Sequence, residues 1–461
     1  MYKAHVTLGV MPTRRGGFNL ELANAEKEKF MPIIHSIRPD VVDIVDIDDL
    51  CVKGIIDSEK DSPAVVAKFR KANVDAIFVP FCDFGEEGAV ADVVSKFDVP
   101  ILIWGPRDAN PNKPDKRGRD CQCGIFAATK VIRRFGKTYS YIYNVSENTD
   151  EFKNGFETFI RVVNIVKDFK GLRIAKIGER PAPFRSVMTN EARLMQNFGI
   201  QVVAIPPLMI KHAIDKVLKS GGEAFEADCE DIRLRFDCST AGEEGVKMLA
   251  AAKLAVREIF DERGCTVGAI ECWPTASMLG IPACEIIGEM TDLGYPIACE
   301  TDINGAISMA ILRAANLGDE AEFLADLTIR NPENDNSELL WHCGPFPYSL
   351  KAEGSIASID GHNENFEMKQ GDLTLVRFDD AEDDYYLFCG EAKTTTGPDT
   401  TGTYVYAEVD DWKKWEAKFM FGPYIHHLGG TYGKLSRAIR EAARYLSVKV
   451  DTPDTPGPEC L

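Results

Sequence analysis

The sequence predicts two successive α/β domains followed by a largely antiparallel β domain with the character of a barrel. Three observations predict it. In the first third, short apolar β-branched runs alternate with longer amphipathic ones; the same rhythm restarts near Gly171; and beyond about residue 335 short strands separated by Gly, Asp and Asn turns replace the helices. The boundaries that follow are 1–168, 169–325 and 326–461.

Residues 5–10, 41–47, 74–81 and 99–104 read as parallel strands, because a strand covered on both faces is apolar throughout rather than alternating. A long amphipathic helix over 148–169 closes this part. The second part opens with a strand at 172–177, a helix over 188–198 stopped by Gly199, and a strand at 201–205. Helices then dominate over 242–263 and 303–316, with a strand at 295–299 before the second of them. In the last part, 355–360, 372–378, 385–389 and 404–409 read as strands, 432–445 as a closing helix, and 451–461, rich in Pro and Thr, as a mobile tail.

The 461 residues carry 53 Lys+Arg against 72 Asp+Glu, a formal charge of −19. A field of that sign repels phosphate backbones and anionic lipid, and the basic run 113–119 is short and diluted by Asp and Pro. Nucleic acid is therefore excluded as the expected partner. So is a membrane, since no run approaches the roughly 18 apolar residues of a span. Thirteen cysteines, an odd number scattered through core segments, do not form a secreted disulfide framework, and the N-terminus enters a strand without a leader pattern. A reducing, cytoplasmic compartment is the expectation. Cys121 and Cys123 form a C-x-C pair without a second thiolate pair at zinc spacing, and read as incidental thiols.

The chemistry concentrates in two places. Between 267 and 309, carboxylates stand in an otherwise apolar stretch punctuated by Gly and Pro, where an ionised group needs a cation or a basic partner. Glu285 opens a helix after Pro282, while Glu300 and Asp302 stand where a strand ends and the next helix begins, the position at which α/β proteins bind ligands. Capping of that helix accounts for Glu300 and Asp302 equally well. The second place is the segment 422–433, where His426 and His427 are flanked by glycines. Carboxylates with one imidazole and no thiolate favour Mn²⁺ or Mg²⁺ over structural zinc. His342, in Trp341-His342-Cys343, reads as lining a polar pocket or as a satisfied core residue. Trp273, Trp341 and Trp415 are candidates to stack on a sugar and equally explicable as core. Arg180 and Arg185 follow the strand 172–177, where they would face an anionic substituent or sit around a surface turn.

Several separated motifs in one order carry a resemblance. Ile297-Ala-Cys-Glu300-Thr-Asp302-Ile-Asn-Gly305-Ala306, the upstream Pro282-Ala-Cys-Glu285, Ala325-Asp326-Leu327, and His426-His427-Leu-Gly-Gly-Thr-Tyr-Gly433 together resemble the L-fucose isomerase and L-arabinose isomerase superfamily, most nearly its fucose isomerase branch. Leu8-Gly-Val-Met-Pro12 looks like the opening strand of that branch, and Val79-Pro-Phe-Cys82 like a loop serving a second site. The resemblance implies two Rossmann-like domains and a C-terminal β-rich domain. It further implies an aldose–ketose isomerase using a divalent ion, usually Mn²⁺ with Mg²⁺ or Co²⁺ as substitutes, and homo-oligomers, commonly hexamers, whose sites are completed across subunits. Motif for motif, Glu285 and Asp302 match the catalytic, metal-binding carboxylates and His427 the histidine ligand. His426 falls where the fucose enzymes carry a substrate-contacting Asn, and Cys82 where they place an aromatic from a neighbouring subunit. Arg14 or Arg15 approximates their N-terminal arginine. These departures leave the sugar open, including a sulfonated or phosphorylated one.

The chemistry accounts for such a set. Removing the C2 proton of an aldose requires charge stabilisation of the developing enediolate, which a cation provides, and carboxylates to carry the proton between C2 and C1. Two readings from other classes use the same features: a non-catalytic sugar-binding protein, for which a metal constellation is superfluous, and a divalent-metal lyase that stabilises the same kind of enediolate.

Overall fold

A computed structural model describes residues 2–108, 119–361 and 363–460. Of the basic run 113–119, all but Arg119 lies outside the described residues. The chain divides into two compact units, residues 3–167 and residues 168–461 with the first two residues.

The first unit is a five-stranded parallel sheet in the order β2-β1-β3-β4-β5, with β1 at Val6–Val10, β2 at Val42–Val45, β3 at Ala76–Pro80, β4 at Ile101–Trp104 and β5 at Ser140–Tyr141. Helices connect the strands, as parallel pairing demands. The first, Leu20–Ser36, is capped by the Asn19 side chain, which accepts from the Glu21 and Leu22 amides. All five residues of β3 are buried, which is why this strand reads as one continuous apolar run. β5, only two residues long, was not anticipated; its register on β4 rather than its composition makes it a strand.

The second unit opens with a parallel sheet ordered β7-β6-β8-β9, where β6 is Arg173–Ile177, β7 Gln201–Ile205, β8 Val267–Ile270 and β9 Ile297–Ala298. After β9 comes the helix Ile303–Asn316, every residue of which is buried and which touches strands of both sheets of this unit. Its polar members reach out to neighbouring elements: Arg313 donates from one terminal nitrogen to the Thr266 and Gly294 carbonyls, and Asn316 donates to the Thr431 hydroxyl.

A strand-rich mixed sheet completes the unit. Its strands are β10 (Glu322–Arg330), β11 (Ser337–His342), β12 (Ser358–Ile359), β13 (Glu364–Glu367), β14 (Asp372–Ala381), β15 (Asp384–Thr395), β16 (Thr403–Glu408), β17 (His427–Tyr432) and β18 (Lys449–Asp451). The order is β12-β13-β16-β11-β10-β17-β14-β15-β18, and a further β15–β16 pairing joins the ends of the central run. Strands β16, β11, β10, β17, β14 and β15 thereby form a closed ring, which removes the exposed edges an open sheet would present.

Several expected elements are corrected. The helix expected over 432–445 is Ser436–Leu446, and Tyr432 belongs to β17. Two glycines hide that strand from a propensity reading. They are there for packing: a Cβ on Gly430 would stand 2.3 Å from the Phe323 ring, and one on Gly429 3.0 Å from Leu312 Cδ1. Of the strand expected at 355–360 only Ser358–Ile359 pairs. The tail expected to be mobile from 451 is tied down as far as Thr455. Lys418 pairs with Asp451 at 2.8 Å and donates to the Thr455 carbonyl at 2.6 Å, and Lys414 pairs with Asp454 at 2.7 Å. Among the described residues no helix is long and apolar enough to cross a membrane.

Candidate active site

The site lies at the carboxyl end of β9, where the chain turns into the buried helix Ile303–Asn316. Glu300 and Thr301 both take left-handed backbone, φ 59° and 55°. Each costs on the order of 1–3 kcal/mol outside glycine, a strain that persists where a side chain must be aimed. Asp302 caps the helix, its Oδ1 accepting from the Gly305 amide at 2.9 Å. Capping does not exhaust it. Arg377 of β14 grips the same carboxylate with two nitrogens, at 2.5 and 3.2 Å, and His427 Nδ1 lies 2.8 Å from its Oδ2.

Strand register supplies the other members. Antiparallel pairing sets Asp326 of β10 directly opposite His427 of β17 and, on its other side, opposite Trp341 of β11, the neighbour of His342. His427 Nε2 then stands 3.2 Å from Glu300 Oε2 and 3.5 Å from Asp326 Oδ1, and His342 Nε2 is 3.9 Å from the same Asp326 oxygen. All four atoms are buried and without an aligned hydrogen bond. The Asp326, His426 and His427 donors also lie close enough together to share a metal ion.

The electrostatics follow from this packing. Burial alone would raise the Asp302 carboxyl, but the Arg377 guanidinium and the His427 ring outweigh it and hold Asp302 well below the usual carboxylate range. Burial likewise opposes protonation of His427, yet its contacts with Asp302 and Glu300 push it up to about 9. Glu300 is pulled below its ordinary value, burial being outweighed by the His427 contact and the charges of the surrounding histidines. The exposed His426 residue packs its ring 4.4 Å from that of His427, and its pKa is lowered by partial desolvation and by that neighbour.

Glu285, the first carboxylate of the sequence reading, stands in a different environment. It is fully buried near the start of the helix Ala283–Asp292, and its Oε1 accepts from the Gly361 amide at 2.9 Å while Oε2 has no partner. Burial, opposed by that hydrogen bond and aided by Asp360 and Glu289, pushes it up to about 8. Its neighbour Glu289 is held by Arg235 and Lys253.

The remaining candidates fall in separate places. Trp273 is 40% exposed and meets Phe184 edge-on. Trp341 donates from Nε1 to the Thr401 carbonyl and stacks beside His342, whereas Trp415 is buried against Phe388. In the first unit Arg14 pairs with Asp57, Arg15 Nε donates to the Gly85 carbonyl at 3.0 Å, and Cys82 is fully buried, its thiol pushed up by that burial.

Three residues escaped the sequence reading as site members: Asp326, Arg377 and Glu271. Asp326 and Glu271 share a signal, an acid at or just beyond an apolar strand. Glu271, directly after β8, accepts from the Glu179 amide at 3.0 Å and the Thr275 hydroxyl at 2.7 Å, and Thr301 donates to the Glu179 carbonyl at 3.1 Å. The loops after β6, β8 and β9 are thus tied together. Arg377 has no comparable signal, being one cation in an alternating strand.

Buried carboxylates and imidazoles converging on one point at the end of a parallel sheet define an enzyme rather than a scaffold. The comparisons narrow the class. A family model described as fucose/sulfoquinovose isomerase, N-terminal domain, matches residues 9–170. A sulfoquinovose isomerase of Alkalicoccus urumqiensis is 29% identical over 69% of this chain and 72% of its own. Sulfoquinovose isomerases of Priestia aryabhattai and Priestia megaterium are each 24% identical over 96% of this chain and 98% of their own. These likenesses support the fucose isomerase branch of the L-fucose and L-arabinose isomerase superfamily, and the chain is an aldose–ketose sugar isomerase, an intramolecular oxidoreductase.

Proposed function

We propose that the chain is a metal-dependent isomerase of a 6-sulfonated aldose of the sulfoquinovose type, working through a cis-enediol. The observation that carries the metal reading is the convergence of Glu300 Oε2, Asp326 Oδ1, His427 Nε2 and His342 Nε2, four buried atoms with no aligned partner. Such a donor set of oxygens and imidazoles fits Mn²⁺, or Mg²⁺ or Co²⁺ in its place. Glu300, Asp326 and His427 would hold the ion, with His342 beside them. When bound, the ion supplies the positive charge that stabilises the enediolate oxygens.

The surrounding residues prepare those donors. With its Nδ1–H donated to Asp302, a neutral His427 keeps the Nε2 lone pair free, and Arg377 keeps Asp302 ionised to receive that hydrogen bond. Asp302 is a positioning residue in this reading, because Gly305, Arg377 and His427 already occupy its oxygens. Glu285 carries its own proton below pH about 8 and is a poor base at neutral pH. Glu300 is left to take the proton from C2 and return it at C1. The substrate class rests on the relatives' names. Arg180, in the loop after β6, donates to the neighbouring Pro181 and Ala182 carbonyls and pairs with no carboxylate among the described residues; it is our candidate for the sulfonate. We also read the protein as a homo-oligomer, a hexamer by family resemblance, which light scattering would measure.

Proton NMR of the Mn²⁺-loaded protein in D₂O with sulfoquinovose, fucose and arabinose tests the reading. Ketose formation from the sulfonated sugar, with deuterium entering C2 of recovered aldose and both lost in Glu300→Gln, is expected. Turnover of the neutral sugars alone would refute the substrate class, and full activity after exhaustive chelation would refute the metal.

A further inference from the structure

Four of the thirteen cysteines stand at the ends of the elements that build the site. Cys272 follows Glu271, Cys299 precedes Glu300, Cys284 lies in the first turn of the helix Ala283–Asp292, and Cys343 follows His342. Two of the sulfurs meet: Cys284 Sγ is 3.4 Å from Cys343 Sγ. Cys343 Sγ in turn lies 3.3 Å from His342 Nδ1, which also accepts from the Cys343 amide at 2.9 Å. Sugar isomerisation uses no sulfur, and a cysteine serving only as a small apolar filler needs no sulfur partner. Cys389, fully buried in the barrel, is of that plain kind.

We propose that Cys284 and Cys343 are a reversible oxidation site, a dithiol that peroxide converts to a disulfide and that thereby disturbs His342. Cys343 is only half-buried, so a small oxidant reaches it, while Cys284 waits behind it, nearly buried. The Cys343 sulfur attacks one oxygen of hydrogen peroxide; the O–O bond breaks, and the departing hydroxide takes the thiol proton and leaves as water. The Cys284 sulfur then attacks the sulfenic sulfur. The S–S bond forms, the S–O bond breaks, and the second hydroxide leaves as water with the Cys284 proton. The sulfur pair loses two electrons and peroxide gains them; an external dithiol reverses the exchange. Closing the 3.4 Å gap to a bond of about 2.05 Å requires the sulfurs to approach by about 1.4 Å, within reach of side-chain rotation at Cys343, which lies beyond the end of β11. That movement takes Cys343 Sγ from His342 Nδ1 and loosens the ring whose Nε2 faces Asp326.

The consequence for turnover rests on the proposed function; the disulfide does not. The test treats the full-length, metal-loaded enzyme with a slight excess of hydrogen peroxide, alkylates the remaining thiols, and maps peptides without reduction. The expected result is a Cys284–Cys343 crosslink, lighter by two hydrogens than its two thiol peptides. With it kcat/KM falls by about tenfold, both changes reverse with dithiothreitol, and Cys343→Ser keeps its own untreated activity under peroxide. Recovery of both cysteines as separate alkylated peptides while the exposed Cys123 and Cys460 oxidise would overturn the proposal, as would a crosslink to Cys299 instead. A crosslink with unchanged turnover would overturn the coupling to His342. A protein with no turnover before treatment would refute the proposed function, and the peptide map would still decide the dithiol.

Discussion

Replacing Glu285 by Gln should change how stability depends on pH, in a direction its burial dictates. The carboxyl is fully buried, with one hydrogen bond from Gly361 and an unpartnered Oε2, and it titrates near 8 against 4.5 in the unfolded chain. Its folded pKa is raised, so below pH 4.5 it is neutral in both states and nothing is lost. As pH rises from 4.5 to 8 the unfolded state ionises while the folded state does not, and stability falls by about 1.4 kcal/mol per pH unit. Glutamine keeps the acceptor for Gly361 and cannot ionise, so it escapes that loss. Between pH 5 and 7.5 the wild type should therefore lose about 3 kcal/mol more than Glu285→Gln; fixed differences, such as the extra N–H of the amide, cancel. Urea unfolding of both proteins in EDTA at the two pH values reads the difference. Curves that run parallel within about 1 kcal/mol would show that the buried carboxyl is not held neutral and would refute the reasoning. A repeat with saturating Mn²⁺ separates the two assignments of Glu285. A ligand would give the wild type a metal stabilisation that the variant lacks, about 2.7 kcal/mol at a hundredfold excess over Kd, whereas the present reading expects equal gains.

The other expectations concern the same network. Arg377→Met leaves the fully buried Asp302 carboxylate without its cation and should cost about 3–5 kcal/mol, measured by denaturant unfolding, with loss of isomerase activity in whatever folds; a change below 1 kcal/mol would deny the pair its role. If His427 holds the proposed ion, binding displaces the proton that the ring keeps up to about pH 9, so calorimetry in buffers of different ionisation enthalpy at pH 7.5 should detect about one proton released per ion, and affinity should rise with pH until about 9. Binding without proton release would exclude His427 as a ligand. Gly430→Ala drives a methyl to 2.3 Å from the Phe323 ring and should lower stability by about 1–3 kcal/mol, whereas Gly171→Ala, with open space around it but φ +77, should cost only its backbone strain, about 1 kcal/mol. Comparable thermal shifts for the two would refute the packing argument for β17.

What was legible in the sequence is what local pattern encodes. The wholly apolar strand β3, the restart after Gly171, and the strand-end placement of Glu300 and Asp302 depend only on burial on both faces, helix stops and capping chemistry, and each can be read within a dozen residues. The ordered motifs from Pro282 to Gly433 carry the resemblance to the superfamily by the same local means. Tertiary structure decided which groups meet. Asp302 acquires its partner Arg377 from 75 residues away and His427 from 125 residues away. Asp326 faces His427 only through the β10–β17 register, in which a slip of one residue would turn it to the opposite face. A carboxylate's chemistry is set by the donors and the dielectric around it. Glu285, Glu300 and Asp302 are therefore interchangeable as letters, yet the fold makes one a buried neutral acid, one a group with an unpartnered oxygen beside His427, and one a carboxylate fully engaged in holding its neighbours.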